Sequence, residues 1–188
     1  MEPFTFTELF AGVGGFASAL KYLNGTCLCS CEIEPQARQG YQLNFQSNHF
    51  EKDIRKVEKL PEHDVLTGGF PCQPFSRAGT QPGFSDTTKG TLFYEIVRLL
   101  SATQPSMFLL ENVSGLLYLP NSTPSELPTN VRCALEDAGY ILHLKVIDSS
   151  CVLPQIRKRC YIVGFHKTKS SKASSNFVWP ILPNLGRT

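Results

Sequence analysis

The stretch that decides the fold is Phe4-Thr-Phe-Thr-Glu-Leu-Phe-Ala-Gly-Val-Gly-Gly-Phe16, close to the amino terminus. Its first part, residues 4–10, alternates apolar and polar side chains and predicts a strand. Gly14 and Gly15 then predict the start of a helix that runs to about Tyr22. A glycine turn between a strand and a helix lets a ligand approach the backbone closely. A tight turn without a ligand explains this stretch equally well, because it lacks the GxGxxG spacing.

Apolar runs alternate with helix-like stretches along the rest of the chain. Strands are predicted over residues 26–33, 64–70, 107–113, 140–148 and 160–165, with room for one more near Asp53. Helices are predicted over residues 35–45, 91–103 and 126–138. This alternation predicts an α/β fold with an open, mostly parallel sheet and helices on both faces. Right-handed crossovers would place the C-terminal end of every strand on one edge, where such sheets bind ligands.

Side chains suited to chemistry follow the strands at this predicted edge. Glu32 closes the second strand about 20 residues after Gly12, the separation at which a carboxylate accepts hydrogen bonds from ribose hydroxyls. Glu111 lies near the end of the strand over residues 107–113. Cys72 stands in a loop between two prolines, which stiffen the backbone and hold the thiol exposed. We interpret Cys72 as a candidate nucleophile, against the alternative of an incidental cysteine in a proline-rich connector.

Composition sets few limits on function. A chain of 188 residues with 41% hydrophobic and 18% charged residues suits one globular domain. The net charge of +2 neither indicates nor excludes a nucleic-acid partner. The seven cysteines form no CxxC pair, and the CxCxC run over residues 27–31 predicts buried residues that share one face rather than metal ligands. The odd cysteine count and the lack of a secretory signal predict an intracellular, reducing compartment, either a nucleus or a bacterial cytoplasm.

Four motifs, in order, resemble those of the cytosine-C5 DNA methyltransferase family: FAGVGGF at 10–16, GFPCQPFS at 69–76, ENV at 111–113 and QIRKR at 155–159. The resemblance covers about residues 4–166. It implies a Rossmann-like fold that depends on S-adenosylmethionine. It also implies methyl transfer from S-adenosylmethionine to C5 of a flipped DNA cytosine, through a covalent adduct with Cys72.

The resemblance also assigns roles to individual residues. The catalytic set that it implies is Cys72, Glu111, Arg157 and Arg159. The implied cofactor-binding set is Phe10, Gly12, Val13, Gly15, Glu32, Ile33, Asp53, Pro71 and Leu92. Gln73, Ser76 and Arg77 would contact the DNA backbone. No metal is expected.

Family members continue after the QxRxR motif with a target-recognition domain and a final segment that completes the cofactor pocket, and the sequence contains neither. We therefore expect residues 1–166 to form the catalytic domain and residues 167–188 to form a polar linker and tail, the start of a missing recognition domain. A second polypeptide that supplies the missing parts is one expectation. A truncated enzyme and a non-catalytic DNA- or protein-binding remnant are others. Transfer-RNA methylation also remains open, whereas a nicotinamide oxidoreductase would leave Cys72 and the QxRxR motif unused.

Overall fold

A computed structural model of the protein describes residues 2–45, 49–71, 91–118 and 126–183. Four residues of the predicted site, Cys72, Gln73, Ser76 and Arg77, lie outside these ranges, so their predicted roles stay predictions. Within the described ranges, no helix is both long enough and apolar enough to cross a membrane.

Seven strands form one sheet with the order β3-β2-β1-β4-β5-β7-β6. The strands are β1 (Phe4–Leu9), β2 (Gly25–Cys31), β3 (Phe50–Glu51), β4 (Val65–Gly69), β5 (Met107–Val113), β6 (Tyr140–Asp148) and β7 (Lys158–His166). The helices are α1 (Gly15–Tyr22), α2 (Pro35–Asn44), α3 (Thr91–Thr103), α4 (Thr129–Asp137) and α5 (Ser171–Asn176). The predicted α/β fold is confirmed, and the short strand expected near Asp53 is β3.

The direction of β7 differs from the prediction. Strands β3, β2, β1, β4 and β5 pair in parallel, whereas β7 runs antiparallel to both β5 and β6. The expectation that every strand ends at one edge is therefore wrong for β7. Because β7 runs in reverse, its first residues lie beside the last residues of β5, with Arg159 opposite Val113. This reversal brings the QxRxR motif to the predicted ligand edge.

Two clusters of buried side chains pack around the sheet. The larger cluster joins α3 and α4 to the strands through residues such as Leu99 and Leu135, and the smaller one joins α1 and α2 through Ala17 and Tyr41. This division agrees with helices on both faces of the sheet. At about 25 cal/mol per Å² of apolar area, these clusters supply the main stabilisation of the sheet.

The cysteines of β2 are buried as predicted, but they do not share one face. Cys27 belongs to the smaller cluster, whereas Cys29 and Cys31 belong to the larger one. The register between β1 and β2 shifts at this point, since Phe6 pairs with Cys27 and Thr7 with Cys29. An extra residue in one strand reverses the alternation of faces beyond it. The prediction of a single cysteine face is therefore wrong.

The segment after β7 is more ordered than a linker. The sequence predicts a polar linker and tail over residues 167–188, yet Ser171–Asn176 form α5. The side chain of His143 bonds to the Ser174 hydroxyl at 2.9 Å, and the Phe177 ring packs on the rings of Phe165 and His143. These contacts anchor the segment on β6 and β7. The division of the chain into residues 1–166 and 167–188 stays a prediction.

Candidate active site

The glycine turn between β1 and α1 follows a backbone path that favours glycine. Phe10, Gly12 and Gly14 all have positive φ, with values of 52°, 56° and 94°. A side chain at Gly14 would also collide with the ring of Phe45 from the end of α2. A positive φ at Phe10 is strained and persists only where surrounding bonds hold the backbone. Directly after Phe10, the amide of Ala11 donates to the carbonyl of Cys31 at 2.9 Å. The turn is therefore held against β2.

Glu32 ties this turn to the end of β2. One carboxylate oxygen of Glu32 accepts the amide of Gly12 at 2.8 Å, and the other accepts the amide of Glu34 at 2.8 Å. From α2, the guanidinium of Arg38 donates to the carbonyls of Glu32 at 3.1 Å and Ile33 at 2.6 Å. Arg38 was not predicted as part of the site. These bonds fix the Glu32 carboxylate next to the turn, as expected for a residue that meets a ribose.

The surface beside Glu32 can accommodate a nucleoside. Val13 is 64% exposed and Ile33 is 59% exposed, although both are large apolar side chains. Apart from the two chain neighbours of Gly12, no atom of the described residues lies within 4 Å of the position that a Cβ at Gly12 would occupy. A half-buried carboxylate with exposed apolar neighbours and open space fits the adenosine part of S-adenosylmethionine. The residues present therefore fit the implied cofactor.

The other predicted cofactor residues have more varied surroundings. Both carboxylate oxygens of Asp53 bond to the guanidinium of Arg55, at 2.9 and 2.7 Å, and this bonding lowers the pKa of Asp53. Arg55 would thus compete with a ligand for Asp53. Phe10 and Leu92 are partly buried against the larger cluster, and Pro71 is exposed. Gly15 begins α1 directly after the turn.

Two of the predicted catalytic residues, Glu111 of β5 and Arg159 of β7, meet at this edge of the sheet. The Nε of Arg159 lies 2.9 Å from the Oε1 of Glu111, and both side chains are about one-fifth exposed. Glu111 pairs in register with Gly69 of β4, and a Cβ on Gly69 would lie 3.2 Å from the Glu111 Oε2. A glycine at this position therefore leaves room for the carboxylate. Gly69 also lies three residues before Cys72 in the sequence.

Asn112 links the same strands and was not predicted as a site residue. Its side-chain amide is buried and donates to the carbonyl of Phe70 at 3.1 Å, while its Oδ1 accepts the amide of Val113 at 2.8 Å. These bonds fix the backbone at the point where β4 leads toward Cys72. A buried amide inside an apolar strand is the sequence signal that could have identified it.

Arg157 is held through its backbone. Its amide donates to Oδ1 of Asp148 at 3.2 Å, its carbonyl accepts the amide of Ser149 at 3.1 Å, and its side chain is exposed. The Asp148 carboxylate also accepts the amide of Ser150 at 3.0 Å, and these backbone bonds lower the pKa of Asp148. Arg157 therefore stands outside the Glu111–Arg159 pair, where a substrate can reach it.

A family model and two curated relatives all match this chain as a DNA methyltransferase sequence. Residues 4–185 match the family model for C-5 cytosine-specific DNA methylase. The Type II methyltransferase M.MspI of Moraxella sp is 42% identical over 87% of this chain and 39% of its own length. M.HpaII of Haemophilus parainfluenzae, another Type II methyltransferase, is 41% identical over 95% of this chain and 50% of its own length. The chain thus spans half or less of the length of these two relatives.

A solved structure supports the fold. The S. pombe Dnmt2 methyltransferase superposes with a TM-score of 0.70 over 94% of this chain and 57% of its own. The two sequences are 23% identical, so the similarity extends to the fold alone.

Proposed function

Since the chain belongs to the C-5 cytosine-specific DNA methylase family, we propose that it carries the cofactor-binding and catalytic part of a DNA cytosine-C5 methyltransferase. The observation that supports this most directly is the Glu111–Arg159 ion pair beside Gly69, three residues before Cys72. The fixed carboxylate lies on β5, and the neighbouring strand β4 ends three residues before Cys72 in the sequence.

S-adenosylmethionine, when bound, supplies an electrophilic methyl group. Glu32 would accept hydrogen bonds from its ribose, while Val13 and Ile33 would contact its apolar parts. The glycine turn would meet the remainder of the cofactor through backbone atoms, because it presents few side chains. These roles follow from the exposed positions of Val13 and Ile33 and from the fixed carboxylate of Glu32.

The thiolate of Cys72 would add to C6 of cytosine and push electron density onto C5, which then takes the methyl group. Loss of the C5 proton and departure of the thiolate would restore the aromatic ring. Glu111 would hold the N3 edge and the exocyclic amine of the base, and Arg159 would orient the Glu111 carboxylate. The target carbon is inaccessible in stacked DNA, so the base must be flipped out of the duplex. Arg157, Gln73, Ser76 and Arg77 would then contact the substrate.

Recognition of a particular DNA sequence would depend on polypeptide outside these 188 residues. The chain covers 39% of M.MspI and 50% of M.HpaII, and its sequence holds the four motifs quoted above. Either a continuation of the chain or a second polypeptide would meet this need. The predicted second polypeptide is therefore part of the proposal.

Transfer of a labelled methyl group tests the proposed function. The protein is incubated with methyl-labelled S-adenosylmethionine and cytosine-containing DNA, DNA without cytosine, or transfer RNA. We expect label at C5 of DNA cytosine, and its loss in Cys72→Ser. The matched control is Cys133→Ser, because Cys133 is an exposed thiol on α4, away from the motifs. Label in transfer RNA alone, or equal label with Cys72→Ser, would contradict the proposal.

A further inference from the structure

Glu8 is a carboxylic acid buried in the core of the protein. It lies in β1, two residues before the glycine turn begins at Phe10, and is 1% exposed. Glutamate is almost never fully buried unless it is paired. Among the described residues no lysine, arginine or histidine forms an ion pair with it. Burying a carboxylate without a cationic partner costs free energy, so its presence needs a physical reason beyond packing.

The carboxylate of Glu8 caps α1 from the neighbouring strand. Its Oε1 accepts the amide of Ala17 at 3.3 Å, and Ala17 lies in the first turn of α1. The residue at the usual capping position is Gly14, which has no side chain to offer. First-turn amides need an acceptor, and a negative charge there also interacts favourably with the helix dipole. Glu8 therefore supplies from β1 the cap that Gly14 does not.

This bond ties together the two ends of the glycine turn. Glu8 precedes the turn and Ala17 follows it, so the bond spans the segment in which Phe10, Gly12 and Gly14 hold positive φ. Without a connection across the turn, this strained path would be free to relax. The Gly12 amide, which bonds to Glu32, lies within the same segment.

The second carboxylate oxygen of Glu8 has no hydrogen-bond partner among the described residues, although it is buried. Burial raises the pKa of Glu8 to about 7. The amide of Ala17 and the hydroxyl of Tyr41 partly oppose this shift, whereas the charge of Glu32 adds to it. Burial raises the pKa of Tyr41 as well, so this phenol stays neutral, and it accepts a hydrogen bond from the Ser30 hydroxyl at 2.7 Å. The titratable groups that act on Glu8 are thus the neutral phenol of Tyr41 from α2 and, through its charge, the Glu32 carboxylate from the end of β2.

We propose that Glu8 is a positioning residue for the cofactor, because its buried carboxylate caps α1 and holds the glycine turn in its binding conformation. The role rests on the proposed function, since it presumes that S-adenosylmethionine binds at this turn. The sulfonium of the cofactor is positive, so a negative charge beneath the turn also favours its approach.

Two variants of Glu8 and one control test this role. Glu8→Leu removes the acceptor, whereas Glu8→Gln keeps a carbonyl acceptor but loses the charge. Asp64→Asn is the matched control, because Asp64 accepts the amide and hydroxyl of Thr5, both at 2.8 Å, at the opposite end of β1. The readouts are the Kd for S-adenosylmethionine between about pH 6 and pH 8.5, and hydrogen exchange at the Ala17 amide without cofactor.

We expect Glu8→Leu to weaken cofactor binding about tenfold and to speed Ala17 exchange, as loss of a helix cap does. For the wild type we expect Kd to tighten as the pH rises and Glu8 ionises, whereas Glu8→Gln should keep Ala17 protected and lose this tightening. Asp64→Asn should leave both readouts unchanged.

Wild-type affinity in Glu8→Leu would overturn the role, as would equal weakening in Asp64→Asn. If Glu8→Leu does not fold, Glu8→Gln decides, and a pH profile identical to that of the wild type overturns the role. A wild-type protein that binds no cofactor overturns the proposed function and this role together. That outcome can be distinguished from failure of the Glu8 role alone, in which the wild type still binds the cofactor.

Discussion

The guanidinium of Arg159 and the carboxylate of Glu111 meet at 2.9 Å across two antiparallel strands, β7 and β5. The pair exists because β7 runs against the other strands, which brings the start of β7 to the end of β5. Arg159 in this position fixes the orientation of the Glu111 carboxylate. The carboxylate stays accessible to a ligand, since both side chains remain about one-fifth exposed. In the proposed function, Arg159 would orient the Glu111 carboxylate toward the base.

Replacing Arg159 by lysine should impair the chemistry much more than the fold. A partly exposed ion pair contributes about 1 kcal/mol or less to the free energy of unfolding. The loss of a planar, directed contact should lower methyl transfer by about 10- to 100-fold. Parallel measurements of the unfolding midpoint and the transfer rate check this.

Lys158→Ala is the matched control, because Lys158 is the exposed residue next to Arg159. It should retain the wild-type transfer rate. A drop in Lys158→Ala as large as that in Arg159→Lys would assign the effect to surface charge rather than to the pair.

Removal of the Glu32 carboxylate should weaken cofactor binding. Glu32→Ala leaves the amides of Gly12 and Glu34 without their acceptor and removes the group that would meet the ribose. Hydrogen bonds to charged groups contribute about 1.5–3 kcal/mol, so we expect Kd to rise by about 10- to 100-fold. Titration calorimetry with S-adenosylmethionine measures this. Glu34→Ala removes only the exposed neighbouring carboxylate, and an equal rise in Kd there would refute a specific role for Glu32.

The stability of the protein should depend on pH through Glu8. Its pKa is raised from 4.5 to about 7 by burial, so the folded protein holds this proton more tightly than the unfolded chain. The resulting stabilisation is fully present below about pH 4.5 and is lost as the pH rises through about 7. The loss amounts to at most about 3 kcal/mol.

Glu8→Gln carries no titrating proton and should lack this component. Urea unfolding of both proteins at about pH 5 and pH 8 measures it, and the free energy of unfolding of the wild type should fall relative to the variant. If the difference between the two proteins is the same at both pH values, then Glu8 does not titrate in this range.

The cysteines should differ sharply in their reactivity toward alkylating reagents. Burial raises the pKa of the Cys29 and Cys31 thiols to about 12, which leaves almost no thiolate near neutral pH. Cys133 is exposed and should react at an ordinary rate. Mass spectrometry after brief treatment of the native protein would rank them. Rapid labelling of Cys29 or Cys31 before unfolding would contradict the buried positions in β2.

Regular spacing in the sequence was sufficient to predict most elements of the fold. The apolar spacing of α3 and the uninterrupted run of β5 gave their bounds as the structure has them. The reversed direction of β7 had a signal that was missed. The link between β6 and β7 is short and contains no α-helix, whereas a parallel connection needs a crossover of about a dozen residues or more.

Other features depend on contacts that a single sequence does not reveal. The register shift beside Cys27 arises from how β2 pairs with β1, so no local sequence pattern predicts it. The competition of Arg55 for Asp53 and the clamp of Arg38 on the Glu32 carbonyl follow from side-chain positions in three dimensions. The motifs identified site residues whose side chains are reactive or charged, such as Cys72, Glu111 and Arg159. Glu8, which acts through the backbone, looked like one polar residue in an alternating strand.

We propose that Cys72 forms a covalent bond to cytosine during methyl transfer. The most direct test is trapping on DNA that contains 5-fluorocytosine, in the presence of S-adenosylmethionine, because fluorine at C5 blocks release of the thiolate. We predict a stable protein–DNA adduct in the wild type, with the DNA attached to the peptide that contains Cys72, and no adduct in Cys72→Ser. An adduct of equal yield in Cys72→Ser, or one attached to a different cysteine, would contradict the claim.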